Sequence, residues 1–328
     1  MGYGGYSIDA HEALLRTRSE APAQEVFKQR ACHPLMNPKG VKLRECRDSP
    51  DHPSSVGVVF ALDVTGSMGH IPKLLATQEL PGLMKTLELC KVPDPQLLFC
   101  AVGDATSDGA PLQVGQFEST AELMDQWLTW CFLEGGGGGT DQESYELALY
   151  FLAVHTELDS VKKRGKRGYL FMTGDELPYP SLSRHIVESV VGDRLDDDLK
   201  TEEIVAELQK TLVPFFVIPD PDRLARCEDR WRGLLGDHVL CTEKPEDICH
   251  VSAGAIALCE GTLPHLDALA QVLRDGGVDP RRVNRVVRAL TPFADARAGT
   301  SRAPPHAPPA PPHAPPHAPS LLERLFKK

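Results

Sequence analysis

Asp63-Val64-Thr65-Gly66-Ser67 gathers an acid, two hydroxyls and a glycine into one short stretch. Alternate positions carry oxygen donors, and Gly66 lets the backbone turn tightly between them. Hard oxygen donors at that spacing suit Mg²⁺ or a similar cation. The same residues would also serve as a polar strand-to-helix turn with Asp63 or Ser67 as N-cap. Two other segments add matching chemistry. Residues 135–139 are all glycine and run into Thr140-Asp141. Gly174-Asp175-Glu176 closes the apolar run 168–173.

Elements that could position these groups follow from the apolar pattern. Residues 56–62 are apolar and rich in β-branched side chains, which predicts a strand buried on both faces. A helix is expected over 69–90, with Pro72 in its first turn. Strands over 96–102 and 112–117 flank the turn-rich 103–111, so they should form an antiparallel hairpin. Its Asp104 and Asp108 should lie on the same rim as Asp63. Helices over 120–133 and 142–156 bracket the glycine run. Further strands fall at 168–173, 213–218 and 238–241, with helices at 198–211, 221–235 and 245–258. Strands alternating with helices give an α/β fold: a doubly wound, mostly parallel sheet with one antiparallel edge strand and helices on both faces. In such a sheet ligands bind at the carboxyl ends of the strands. The three polar segments all fall there.

These motifs resemble the von Willebrand factor A family with a metal-ion-dependent adhesion site. That family carries Asp-x-Ser-x-Ser after its first strand, a Thr from a glycine-rich loop, and an Asp after its fourth strand. Asp63, Thr65 and Ser67 match the first element, with Thr in place of the usual first Ser. Thr140 matches the loop and Asp175 the last element. The glycine run followed by an acidic helix is similar to stand-alone bacterial and phage members. The resemblance implies a Mg²⁺ (or Mn²⁺) held by Asp63, Thr65, Ser67, Thr140 and Asp175. It implies that the ion accepts an Asp or Glu side chain from a partner protein, with no catalysis. It also implies a setting beside an AAA-type ATPase or within a multi-protein assembly. Glu134, Asp141 and Glu176 flank the ligands and would tune the field or stand as solvated loop acids.

Two rival readings use the same residues. Asp-x-Thr-Gly after a first strand also resembles haloacid-dehalogenase-like phosphatases. Asp63 would then be the nucleophile, Asp175 would hold Mg²⁺, and Lys162 or Lys163 would balance charge. The glycine loop has no role in that mechanism. The other rival is the same fold without metal, acting as a scaffold. No Gly-x-x-x-x-Gly-Lys-Ser/Thr run is present, so nucleotide hydrolysis would belong to a partner.

Composition narrows the classes. The chain has 328 residues, 41% hydrophobic and 25% charged, with a net charge of -11. That balance argues against general nucleic-acid binding. No apolar run is long enough to span a membrane, and the first residues lack a signal peptide's basic start and apolar core. Nine cysteines, several within apolar patterns, read as free thiols in a reducing cytoplasm. Cys241, Cys249 and His250 could suggest zinc, but no closely spaced cysteine pair accompanies them.

The chain divides into a partly helical extension (1–53), the α/β domain (54–260), a helical pair (261–298), a linker rich in Pro, Ala and His (299–320) and a short amphipathic tail (321–328). Pro-Pro-His-Ala-Pro occurs three times between 303 and 319, a polyproline composition with no core of its own. In the second helix of the pair, Val283, Val286, Val287 and Leu290 form an apolar stripe. Arg281, Arg282, Arg285 and Arg288 occupy the other sides, which predicts docking on the acidic body or, alternatively, a site for an anionic partner.

Overall fold

A computed structural model describes residues 4–16, 22–133 and 141–301. Its centre is a six-stranded sheet: β1 (Val56–Asp63), β2 (Pro95–Val102), β3 (Leu112–Val114), β4 (Gly168–Thr173), β5 (Leu212–Ile218) and β6 (Val239–Cys241). The spatial order is β6-β5-β4-β1-β2-β3. Every pairing is parallel except β2 with β3. This is the doubly wound, mostly parallel α/β architecture expected from the sequence. The chain winds one way from β1 to β2 and the other way from β4 to β5. The switch point therefore lies between β1 and β4, which pair through Leu62 and Thr173.

The flanking helices are α1 (Ile8–Arg16), α2 (Leu80–Leu89), α3 (Ala121–Thr129), α4 (Tyr145–Val154), α5 (Thr201–Leu208), α6 (Leu224–Leu235), α7 (Ile248–Glu260), α8 (Leu266–Asp275) and α9 (Pro280–Ser301). Alternation along β1 divides the core. Val58, Phe60 and Leu62 join the layer of α2, α7, α8 and α9. Val59 and Ala61 join the layer of α4, α5 and α6. Helices α4 and α7 are apolar almost all round, which is why both are buried over nearly their whole length.

Close approach explains one glycine at the sheet's centre. A Cβ on Gly168 would lie 2.5 Å from the Gly57 carbonyl and 2.6 Å from Leu158 Cδ2. Only a residue without a side chain lets β4 start beside β1.

The helix expected over 69–90 and the last helix depart from simple expectation. The single helix over 69–90 is broken into Ile71–Leu74, a π turn at Leu75–Glu79, and α2. Pro81 has no N–H for the carbonyl four residues back, so the turn before it widens. The last helix, the second of the pair expected over 261–298, runs to Ser301 through Pro292. Pro292 and Arg288 are both exposed, so water can reach the carbonyl that loses its partner. Phe293 anchors the far side, edge-on to Phe215 with centroids 5.3 Å apart.

Arg282, Arg285 and Arg288 of α9 meet acids of the α/β body. Arg285 forms a two-pronged pair with Asp247 at 2.6 and 2.9 Å. Arg282 pairs with Glu79 and Asp247, and Arg288 with Glu243 at 2.6 Å. Helix α8 packs on α9, and both approach Gly254 of α7. A Cβ there would lie 2.6 Å from Leu269 and 2.7 Å from Leu290. All nine cysteines are free thiols. Among the described residues, no helix is long and apolar enough to cross a membrane. The proline-rich segment and the terminal tail lie outside the described residues.

Candidate metal centre

Asp63 is the last residue of β1 and is fully buried. Its Oδ1 accepts the Thr65 amide at 2.9 Å and the Thr65 hydroxyl at 2.5 Å. Its Oδ2 accepts the Tyr145 hydroxyl at 2.5 Å. Burial pushes the Asp63 carboxyl up to about 6, opposed by the Thr65 and Tyr145 hydrogen bonds and reinforced by Asp175. Thr65 occupies the position before the 3₁₀ turn Gly66–Met68 without a side-chain cap bond, and Gly69 leaves that turn at φ +53°, where glycine is favoured. The expected ligands Asp63 and Thr65 are thus brought together at the switch point.

Asp175 follows β4 across the crevice and is 1% exposed. Its Oδ2 accepts Arg223 Nη1 at 3.0 Å, and Arg226 Nη1 stands 3.6 Å away. Ser67 falls in the turn after Thr65, but its side chain lies outside the described part of the structure. Thr140 and Glu134 lie outside the described residues as well. Asp141, directly after Thr140, is fixed by its carbonyl, which accepts the Leu177 amide at 3.0 Å. Gln142–Glu143 then pairs in parallel with Leu177–Pro178. The chain leaving the glycine loop is therefore stitched beside Asp175 and Glu176. The helix expected over 142–156 starts only at Tyr145 because its first residues form this pair.

Three partners of the site, Tyr145, Glu143 and Arg223, carry no signal in the motif pattern, whereas Glu176 is expected to flank it. Tyr145 reads as one more apolar helix position, yet its hydroxyl completes the shell of Asp63. Gly174 makes that reach possible, since a Cβ there would lie 2.2 Å from the Tyr145 oxygen. Glu143 is 2% exposed, and its carboxyl is pushed up by desolvation, then by Asp63 and Glu176. Glu176 is pushed up by desolvation, then by Asp175 and Asp63. Glu143 Oε2, Glu176 Oε2 and Thr173 Oγ1 are buried with no hydrogen-bond partner. Arg223, in the turn Pro221–Arg223 after β5, reaches Asp175 from the far side. The helix expected over 221–235 opens with this turn because Pro221 and the Asp220 cap set its entry.

Asp104 joins the same rim, as expected of its hairpin. It is buried and accepts the Thr106 hydroxyl at 2.6 Å and the Tyr179 hydroxyl at 3.2 Å. Glu146, the second residue of α4, accepts the Tyr179 amide at 3.2 Å. Desolvation raises the Glu146 carboxyl to about 8. Its folded value lies above its unfolded one, so wild-type stability falls as pH rises from about 4.5 through about 8. Glu146→Gln removes that titration. The stability gap between variant and wild type, read by urea denaturation, is expected to widen in the variant's favour across this window and then level off. A gap independent of pH would show that Glu146 stays ionised throughout.

The donor set fits a hard cation. Asp63 and Asp175 face one crevice, a hydroxyl lies on Asp63, and unpartnered carboxyl oxygens stand nearby. Among the described residues no three His, Cys, Asp or Glu side chains form a ready-made metal cluster. The expected set needs none, since three of its five members are hydroxyls. His250, named with Cys241 and Cys249 as a zinc prospect, instead meets the Thr86 hydroxyl through Nδ1 at 2.9 Å. Lys162 and Lys163 stand on the short helix before β4, paired with Glu157 at 2.5 Å and Asp159 at 2.8 Å. The six residues of β4 separate that helix from Asp175, a span of about 20 Å.

No family model and no curated protein matches the chain. Among solved structures it is similar to proximal thread matrix protein 1 from the mussel byssus, at 10% identity and a TM-score of 0.39, over 65% of this chain and 48% of that one. It is similar to the pilus adhesin SpaC from Lactobacillus rhamnosus GG in its open conformation, at 10% identity and 0.42, over 71% and 31%. It is also similar to a von Willebrand factor type A protein from Catenulispora acidiphila, at 12% identity and 0.36, over 62% and 42%. The chain spans less than half the length of each of these.

Proposed function

We propose that this chain is a protein-interaction module with a divalent cation at the β1/β4 switch point. Asp63, Thr65, Ser67, Thr140 and Asp175 would hold Mg²⁺ or Mn²⁺. The observation that carries the reading is the buried acidity there. Asp63 is wholly enclosed, Asp175 nearly so, and oxygens of Glu143 and Glu176 lack partners. Such a cluster of buried carboxyls can ionise fully only against added positive charge.

The bound ion supplies a Lewis-acidic position that a carboxylate oxygen of an acidic partner protein can take. The chain's own residues do the positioning. Thr65 and Tyr145 fix both oxygens of Asp63, and Gly174 keeps the space for Tyr145. A carboxylate-to-ion bond in a partly desolvated interface would then dominate recognition. A nucleophilic role for Asp63 is less well supported. The lysines that role requires lie at the other end of β4. A cytoplasmic setting beside an AAA-type ATPase or larger assembly is the context the sequence resemblance suggests.

Calorimetric titration of Mn²⁺ and Mg²⁺ into wild type and Thr140→Ala tests the site. Wild type is expected to bind, and the variant to bind at least about tenfold more weakly, as loss of metal-site partners commonly produces. Equal binding would remove the glycine loop from the ligand set and reopen the phosphatase reading. Absence of binding at millimolar metal would leave the scaffold reading.

A further inference from the structure

One guanidinium touches three of the loops around the proposed ion. Arg223 Nη1 lies 3.0 Å from Asp175 Oδ2, after β4. The same nitrogen lies 3.8 Å from the sulfur of Met68, which ends the turn after Thr65 and β1. Its Nε lies 2.7 Å from Asp220 Oδ2, after β5. Arg226 contributes a second, looser contact, 3.6 Å from the same Asp175 oxygen. The two arginines differ in how they are held: the Arg223 side chain is 24% exposed and that of Arg226 64%. Asp175 is almost fully buried, and a neighbouring positive charge favours the ionised form of a buried carboxyl.

Resting on the metal-site reading above, we infer that Arg223 is a resident counter-cation, and that a divalent ion and Arg223 compete for Asp175. A carboxylate shared by a guanidinium and a dication brings two positive charges together. The ion therefore gains Asp175 only by displacing or loosening the Arg223 pair. The charge at position 223 holds metal affinity below what the ligands alone would give. It also keeps Asp175 neutralised whenever metal is scarce. The metal-free protein is thus stabilised by the same residue that opposes loading. Arg226, mostly solvated, has a smaller share in both effects.

Titration of Mn²⁺ into the full chain by calorimetry tests this with four proteins. They are wild type, Arg223→Gln, Arg223→Lys, and the double variant Asp220→Asn with Arg223→Gln. Arg223→Gln is expected to bind about tenfold more tightly, the scale on which one adjacent charge shifts a carboxylate's affinity for a proton. Arg223→Lys keeps the charge and should stay near wild type. The double variant keeps the wild-type net charge and should retain the gain. A second readout is thermal melting. Arg223→Gln should lower the melting temperature in EDTA, and saturating Mn²⁺ should shrink that difference. Equal or weaker Mn²⁺ binding by Arg223→Gln overturns the competition and leaves the metal reading standing. A gain that disappears in the double variant assigns the effect to Asp220 and likewise overturns it. No binding by any of the four overturns the metal reading, and the competition falls with it.

Discussion

Asp63→Asn is expected to weaken Mn²⁺ binding by at least about 100-fold, since loss of an outer partner alone typically costs roughly 10–100-fold. The same variant is expected to melt at or above the wild-type temperature in EDTA at pH 8. Both outcomes follow from one fact. The Asp63 carboxyl is fully buried, and desolvation raises it to about 6. Its ionised form therefore opposes folding at pH 8, and the contribution returns only as pH falls through about 6 towards the ordinary carboxylate range. Asparagine keeps the shape and an acceptor for the Thr65 amide and hydroxyl, while its amide can donate to the Tyr145 oxygen. A group retained at a cost to stability is characteristic of a functional site. Calorimetry and melting curves with and without chelator separate the two effects. A variant that loses stability and still binds Mn²⁺ would make Asp63 a structural cap.

Trp231→Ala is expected to lose about 3–5 kcal/mol of folding stability, the range for removing a fully buried large aromatic side chain. Trp231 is completely enclosed on α6. It stacks on Phe216 with centroids 3.9 Å apart and meets Tyr145 edge-on at 5.5 Å. Its indole nitrogen donates to the Glu176 carbonyl at 3.0 Å. The side chain therefore fills the space between β5 and α4 and also fixes the backbone just past Asp175. Trp231→Phe keeps most of the stacking and loses the hydrogen bond, so a smaller loss of about 1–2 kcal/mol is expected. Urea denaturation measures both losses. Because the indole braces Tyr145 and Glu176 together, Mn²⁺ binding should weaken in both variants even where folding is retained. Unaltered binding in Trp231→Phe would show that the rim holds its geometry without this brace.

Much of the architecture was legible because its signals are local. The β-branched run of β1, the apolar runs of β4 and β5, and the short link between β2 and β3 each carry their own periodicity or turn chemistry. Their alternation with helices is enough for a doubly wound sheet, and chain direction alone puts Asp63, Asp104 and Asp175 on one rim. The places where helices widen or begin late were less legible. The π turn before Pro81 and the delayed start of α4 depend on which carbonyls find partners. Propensity alone does not decide that, and the Gln142–Glu143 pairing forms only once Leu177 arrives from far along the chain.

The sequence by itself determined which residues can offer oxygen ligands and at which strand ends they fall. The tertiary structure decided what surrounds them. Tyr145 on Asp63, Glu143 beside Glu176, and Arg223 on Asp175 are meetings between residues distant in the chain. Each belongs to a segment whose own pattern is satisfied without the others: an apolar helix start, a loop end, a charged helix entry. Only the packing of α4 and α6 against β4 and β5 brings a hydroxyl, an unpartnered carboxyl and a guanidinium to the same crevice. There, desolvation raises the cost of each unpaired charge and makes the choice of counter-cation matter.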